Sequence, residues 1–294
     1  MEWSEEEITL FTLAHYPYLT YKEKWTLACE RIVTLSGFSQ NCVGKATVNR
    51  KKRASFLRYE KNIPIMQLTE QYEKLSIRYL SILSPLYPSQ LRHSYEPPLV
   101  LFYSGQLSLL SLTLLGVVGA RECTPYAQLA LNVLLPDLAD SGIGIVSGLA
   151  KGVDGLAHQY AVSSEQPTIA VIGTGLDRVY PTMHSSLQQE MTESQLVITE
   201  YPLGTPPKKH HFPARNRIIA GLSRGVLVIE ARKRSGSLIT ARMALEEGRD
   251  VFAVPGSIVS ELSEGCNDLI KAGAIPCSSG KDILDEWNFE IVNK

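Results

Sequence analysis

The sequence predicts an α/β protein: a mostly parallel sheet wound on both faces by helices and preceded by a small all-helical unit. Three observations carry this. Beyond residue 110, short runs of Val, Ile and Leu recur, each closed by glycine, serine or an acid and followed by an amphipathic stretch. The runs are unbroken instead of alternating, as in strands buried on both faces. Before residue 80 the apolar residues fall at helical spacing.

In chain order, the helical unit is assigned to residues 1–84. Its apolar positions are Ile8, Leu10, Phe11, Leu13 and Ala14, then Trp25, Leu27, Ile32, Val33 and Leu35. Within it, Lys45, Arg50, Lys51, Lys52 and Arg53 form a basic cluster, read either as a phosphate-facing patch or as a solvated helix face. Pro85, Pro88, Pro97 and Pro98 then break the helical pattern, so residues 85–294 form the second domain, opening with a strand-like run at 99 to 103. Strands follow at 114–119, 143–147, 168–173, 196–201, 225–230 and 250–256, with helices near 125–140, 152–163, 183–193, 214–222 and 237–248. "CNDLIKAGA" and "KDILDEW" predict two closing helices. Strands alternating with helices in this way describe a doubly wound, Rossmann-like sheet.

Composition narrows the function. The chain has 294 residues, 44% of them hydrophobic, and a formal net charge of -1, so a polyanionic partner must be met by a local patch. Cys29, Cys42, Cys123, Cys266 and Cys277 are scattered without a CxxC pair, which predicts reduced thiols and neither a disulfide framework nor a metal site. The acidic start "MEWSEEEITL" and the lack of any apolar run near the ~20 residues of a membrane span predict a cytoplasmic protein with no membrane partner.

Ligands of a doubly wound sheet bind beyond the carboxyl ends of the strands. Those junctions carry Arg121, then Lys151 and Asp154, then Arg178, then "EARKRSGSLIT". In the last, Ser235, Gly236 and Ser237 open a helix whose free N–H groups attract an anion, beside Lys233 and Arg234; the same triplet also serves as an ordinary cap. From Thr205 to Arg242 there are nine Lys or Arg against the single acid Glu230, an excess of eight in a protein of total -1. Glu230, closing a buried strand, is expected to steady neighbouring arginines. Phe212 among Lys208, Lys209, Arg215 and Arg217 gives the mixture of ring and cation that suits a single strand, although Phe212 also serves as a helix-entry packing residue. "GTGLDR" has Arg178 where a dinucleotide turn needs its third glycine, and no phosphate loop, GxSxG or HExxH motif occurs. Asp154 and His158 therefore read as structural, and no catalytic residue or cofactor is assigned.

"VVGARECTPYA", "SGLAKGVDGLAH", "TIAVIGTGLDRVYP", "TEYPLGTPPKKHHFPARNRIIAGLS", "VIEARKRSGSLITARMALEEGRDVFAVPG" and "GCNDLIKAGA" together resemble the DNA-processing protein A (DprA/Smf) family, in order and spacing, from about residue 85 to 277. The resemblance implies an extended Rossmann fold and a sterile-alpha-motif-like N-terminal unit; the winged-helix domain that ends longer family members is not expected after "DILDEW". It also implies a homodimer that binds single-stranded DNA and loads RecA recombinase during natural transformation. Its DNA-binding set would be Arg121, Lys151, Lys209, Phe212, Arg215, Asn216, Arg217, Lys233, Arg234, Ser235, Gly236 and Ser237, and its dimer and RecA surface Asn267, Leu269 and Ile270. The chain departs from the family pattern at Thr182 and His184, where a basic residue and an asparagine are common. The alternative is a nucleotide-processing enzyme of phosphoribohydrolase type, against which "PGSIVSELSE" stands in place of a PGGxGTxxE motif.

Overall fold

A computed structural model describes residues 3–35 and 46–289. Lys45 and Cys42 lie outside the described residues. The strands are β1 (Arg78–Ser81), β2 (Val100–Gly105), β3 (Leu114–Gly119), β4 (Gly144–Ser147), β5 (Thr168–Val171), β6 (Leu196–Thr199), β7 (Gly225–Ile229), β8 (Asp250–Ala253) and β9 (Ile275–Pro276). They form one sheet of order β1-β2-β6-β5-β4-β3-β7-β8-β9, parallel from β6 to β9, with β1 and β2 antiparallel at one end. From β3 the chain winds outward through β4, β5 and β6, then crosses to β7 and β8 on the other side. The order thus reverses between β3 and β7, where a doubly wound sheet leaves a crevice.

The central strands read as unbroken apolar runs because both of their sides meet a core. Leu114 and Val118 face one layer while Leu115 and Val117 face the other, and Val226/Val228 against Leu227/Ile229 repeat the pattern on β7. One layer holds α6 (Pro125–Asp140), α7 (Val153–Ser163), α8 (Ser185–Ser194) and α12 (Gly280–Glu286). The other holds α9 (His211–Leu222), α10 (Gly236–Glu246) and α11 (Glu264–Lys271), with α5 (Ser89–Arg92) beneath α9.

The N-terminal helices α1 (Glu5–His15), α2 (Tyr21–Arg31), α3 (Arg50–Asn62) and α4 (Ile65–Lys74) pack on this second layer. Their starts are locally encoded. Ser4 accepts from the Glu7 amide at 3.1 Å, Thr20 and Glu23 form a reciprocal capping box, and Asn49 accepts from the Lys52 amide at 2.9 Å. Within the basic cluster, Lys52 pairs with Glu23 at 2.7 Å and Arg53 with Glu30 at 2.5 Å, which fastens α3 to α2; Arg50 and Lys51 are exposed.

Several boundaries shift by a few residues from the sequence reading, and two of the differences have a clear physical reason. β1 lies inside the stretch assigned to helices and pairs Tyr79 with Phe102, so the sheet begins before the prolines. Helix α9 begins at His211 instead of 214. Pro213 falls in its first turn, where the missing N–H would be unpaired anyway and the fixed φ suits a helix.

Phe11 joins the two parts. It is 1% exposed, with ring centroids 5.6 Å from Tyr79, 5.9 Å from Tyr72 and 6.1 Å from Phe102. Replacing Phe11 by Ala is expected to cost about 3–5 kcal/mol in urea unfolding. Because its neighbours come from both parts, a single cooperative transition should shift, rather than one of two.

Candidate functional site

A notch of about 50 Å³ opens at the carboxyl ends of β3, β4 and β5. Arg121 comes from the loop after β3, Gly148 and Lys151 from the loop after β4, and Thr174 and Tyr180 from the loop after β5, while α9 contributes Phe212 and Arg215. The space holds a few waters or a small anionic group.

The mouth is built around Phe212. Its ring lies 5.3 Å from Tyr180 at an interplanar angle of 32°, and the Arg121 guanidinium stands 5.4 Å from its centroid. Phe212 is half-buried and Arg121 and Tyr180 are exposed, so both rings and the cation face solvent while holding one another.

Arg215 forms the back wall and is 3% exposed. It donates to the Val171 carbonyl and lies against Gly148, where a Cβ would sit 1.8 Å from Nη1. Only glycine leaves that space. Burial draws the guanidinium down to about 10, opposed by the charge of Asp154. It therefore remains charged at neutral pH. Asp154, in the first turn of α7, accepts from the Gly148 amide at 3.2 Å; burial raises its pKa and Arg215 pulls against that rise. Gly152 caps this helix at φ +74, and a Cβ there would meet the Ala120 carbonyl at 2.2 Å. The close approach brings the Lys151 loop beside Arg121.

Arg217 is not part of this notch. Residues two apart on a helix are rotated by roughly 200°, and Arg217 pairs with Glu200 and stands 4.8 Å from the centroid of Tyr21 of α2. It anchors the N-terminal helices. Asn216 donates to the Gly236 carbonyl at 3.4 Å and so holds the start of α10. There Ser235 and Ser237 share a hydrogen bond at 2.8 Å, and neither caps the helix. Lys233 pairs with Glu264 at 3.8 Å, and Arg232 with Glu261 at 2.6 Å. Arg234, Lys151 and Lys209 are exposed, while Lys208 lines a separate cavity described below.

The sequence reading missed Tyr180 and Thr174, because the "GTGLDRVYP" loop was searched for a base. That base, Arg178, is exposed and pairs with Asp177 at 3.3 Å. His184 does not face the notch: it is buried against Gly155, and burial lowers its pKa. Glu230 steadies a loop instead of arginines. At φ +50 and 4% exposure, its carboxylate accepts from the Thr124 amide at 2.7 Å and hydroxyl at 2.6 Å, tying the end of β7 to the loop that presents Arg121. At the far end of the sheet, Asn267 brackets Gly256 through bonds of 3.3 and 3.1 Å, and Leu269 and Ile270 are half-buried against the core. No helix among the described residues is long and apolar enough to cross a membrane.

Fold and notch together define a Rossmann-like protein with a ring-and-cation site at its strand ends. The chain belongs to the DNA recombination-mediator protein A family, whose profile matches residues 78–288. It is 49% identical over 222 residues to DNA processing protein DprA of Streptococcus pneumoniae, covering 76% of this chain and 78% of that one. Identity to DNA processing protein DprA of Bacillus subtilis is 43% over 216 residues, 73% of either chain. The X-ray structure of the Streptococcus pneumoniae protein superposes with a TM-score of 0.82 at 40% identity over 99% of both chains, so the helices before residue 78 are shared as well. A structure of DNA processing protein A from Helicobacter pylori, described for its single-stranded DNA binding mode, gives a TM-score of 0.65 at 29% identity over 72% of this chain and 98% of that one.

Two outcomes follow from the buried groups. Replacing Glu230 by Gln removes the charge from two hydrogen bonds, so stability should fall by about 1–3 kcal/mol, and hydrogen exchange at residues 121–124 should accelerate more than in the sheet. His158 bonds Thr168 Oγ1 at 2.8 Å and burial holds its pKa at about 3, while His15 is lowered by burial to about 4. Both are neutral when folded and take up a proton on unfolding below their ordinary value of about 6.5. Stability is therefore fully present above that value and is lost as pH falls from it toward 4, by about 1.4 kcal/mol per pH unit for each proton. Denaturation from pH 7.5 to 5 should show that slope, and His158→Gln should remove one proton's share.

Proposed function

We propose that this protein is a non-enzymatic, cytoplasmic recombination mediator that binds single-stranded DNA, protects incoming strands and loads RecA recombinase during natural transformation. The observation that carries this reading is the Phe212–Tyr180 ring pair beneath Arg121, over a notch backed by a charged arginine. Unstacked bases lie on the rings and phosphates meet Arg121, Lys151 and the flanking Lys209 and Arg234; this is the division of labour in sequence-tolerant strand binding. The named activity of the Helicobacter pylori relative supports the same ligand. Ser235, Gly236 and Ser237 open α10 beside Asn216 and offer backbone N–H groups to a further phosphate. Two copies pair through the α11 end of the sheet, with Leu269 and Ile270 as apolar contacts and Asn267 holding the adjoining loop, and RecA meets the same end.

Arg121→Ala and Phe212→Ala test the pocket better than any change at Arg215, whose removal would leave Asp154 buried without its countercharge. In fluorescence anisotropy with a labelled oligothymidylate, Phe212→Ala should cost about 1–3 kcal/mol. Arg121→Ala should weaken binding and reduce the slope of log affinity against log salt by about 0.7, the share of one phosphate on a single strand. Equal affinity for duplex, or unchanged binding in both variants, would sink the reading. Steady release of free base from a nucleoside monophosphate would instead favour the enzyme.

A further inference from the structure

A second cavity, of about 1080 Å³, lies between the N-terminal helices and the carboxyl end of β6. It shares no lining residue with the notch. Small-molecule sites commonly span roughly 300–1,000 Å³, so it has room for a ligand of nucleotide size or somewhat larger. Helix α9 separates the two spaces, with Arg215 on one side and Arg217 on the other.

Three of the four lining carboxylates pair with cations, Glu200 with Arg217, Glu96 with Lys22 at 3.8 Å and Glu246 with Arg242 at 3.1 Å, while Glu247 accepts from the Tyr95 amide. Lys24 and Lys208 also line it and, among the described residues, meet no carboxylate at ion-pair distance. Lys24 is held by one protein acceptor, the Ala14 carbonyl at 3.0 Å, which leaves two of its three N–H donors for a guest. Burial draws its ammonium down to about 8, opposed by the charge of Glu200. An anion beside Lys24 would add a countercharge at closer range than Glu200, which makes no ion pair with it. The lining also holds an aromatic pair, Tyr201 and His211, stacked with centroids 4.0 Å apart at 19°, together with Leu99 and Met243.

An ammonium with free donors, in a cavity that also holds a stacked aromatic pair, suits a phosphate joined to a planar base. The geometry points to a second ligand site, in which the cavity under the N-terminal helices binds a free nucleotide, its phosphate on Lys24 and Lys208 and its base along the Tyr201–His211 wall. This site is separate from the strand-binding notch and does not depend on it.

The test is calorimetric titration of the full chain with AMP, GMP, CMP and UMP in turn, with inorganic phosphate as a further titrant. At least one nucleotide should bind saturably below about 10 mM and more tightly than phosphate, because the base adds stacking worth about 1–3 kcal/mol. Lys24→Met should weaken it at least tenfold while leaving oligothymidylate anisotropy unchanged. Lys208→Gln, on the exposed rim, should weaken it by a smaller factor and gives the same reading should Lys24→Met fail to fold. Saturating oligothymidylate should leave nucleotide binding in place. The proposal is overturned if no nucleotide binds, if phosphate alone binds as tightly, if both lysine variants bind as the parent does, or if the oligonucleotide displaces the nucleotide.

Discussion

The rotation of helix α9 is the constraint on which the rest of the structure depends. It carries two guanidinium groups out of water on opposite faces, Arg215 toward β4 and β5 and Arg217 toward the N-terminal helices. Removing a charge from water costs several kcal/mol unless a countercharge and hydrogen bonds answer it. Arg215 is answered by the Val171 carbonyl and the field of Asp154; Arg217 is answered by Glu200 and the face of Tyr21. A roll of α9 in either direction breaks one set. The same rotation sets Phe212 beneath Arg121 and beside Tyr180, so the mouth of the notch inherits its geometry from the contacts of two buried arginines.

Those contacts also resolve the charge excess between residues 205 and 242. Arg217, Arg232, Lys233 and Arg242 find Glu200, Glu261, Glu264 and Glu246, all outside that stretch in sequence. Arg224 turns away to the far layer, 4.9 Å from the Trp287 ring centroid. The cationic surface is therefore smaller than the sequence count suggests, and it includes Arg121, Lys151, Lys209 and Arg234, which are exposed and make no ion pair among the described residues. Exposed pairs such as Arg232–Glu261 stabilise the fold little and are screened by salt. Their effect is on the shape of the field.

What was legible in the sequence follows from which interactions are local. The six parallel strands of the sheet's centre and the helices between them were readable, because unbroken Val/Ile/Leu runs act within a few residues. β1 and β9 were not, since four and two residues carry no period and exist only through their neighbours. Within the site, Arg121 and Phe212 were found from strand-end position and residue chemistry. Arg217 was grouped with Arg215 because its partners lie far off in the chain: Tyr21 is brought to it by folding. Helix rotation alone would have separated the two arginines. Tyr180 carried a weaker signal, a ring at the end of a glycine-rich strand-end loop, which a search limited to basic residues passes over.

The mouth of the notch bears on selectivity in the proposed reading. A base that engages Phe212 and Tyr180 must have a flat face available. In a duplex those faces are covered by neighbouring base pairs, whereas a single strand can turn them outward at the cost of its own weaker stacking. Phosphates alone would not separate the two polymers, since both carry them. Discrimination then rests on the rings, and on α9 holding Phe212 still enough that a base need not pay to order it.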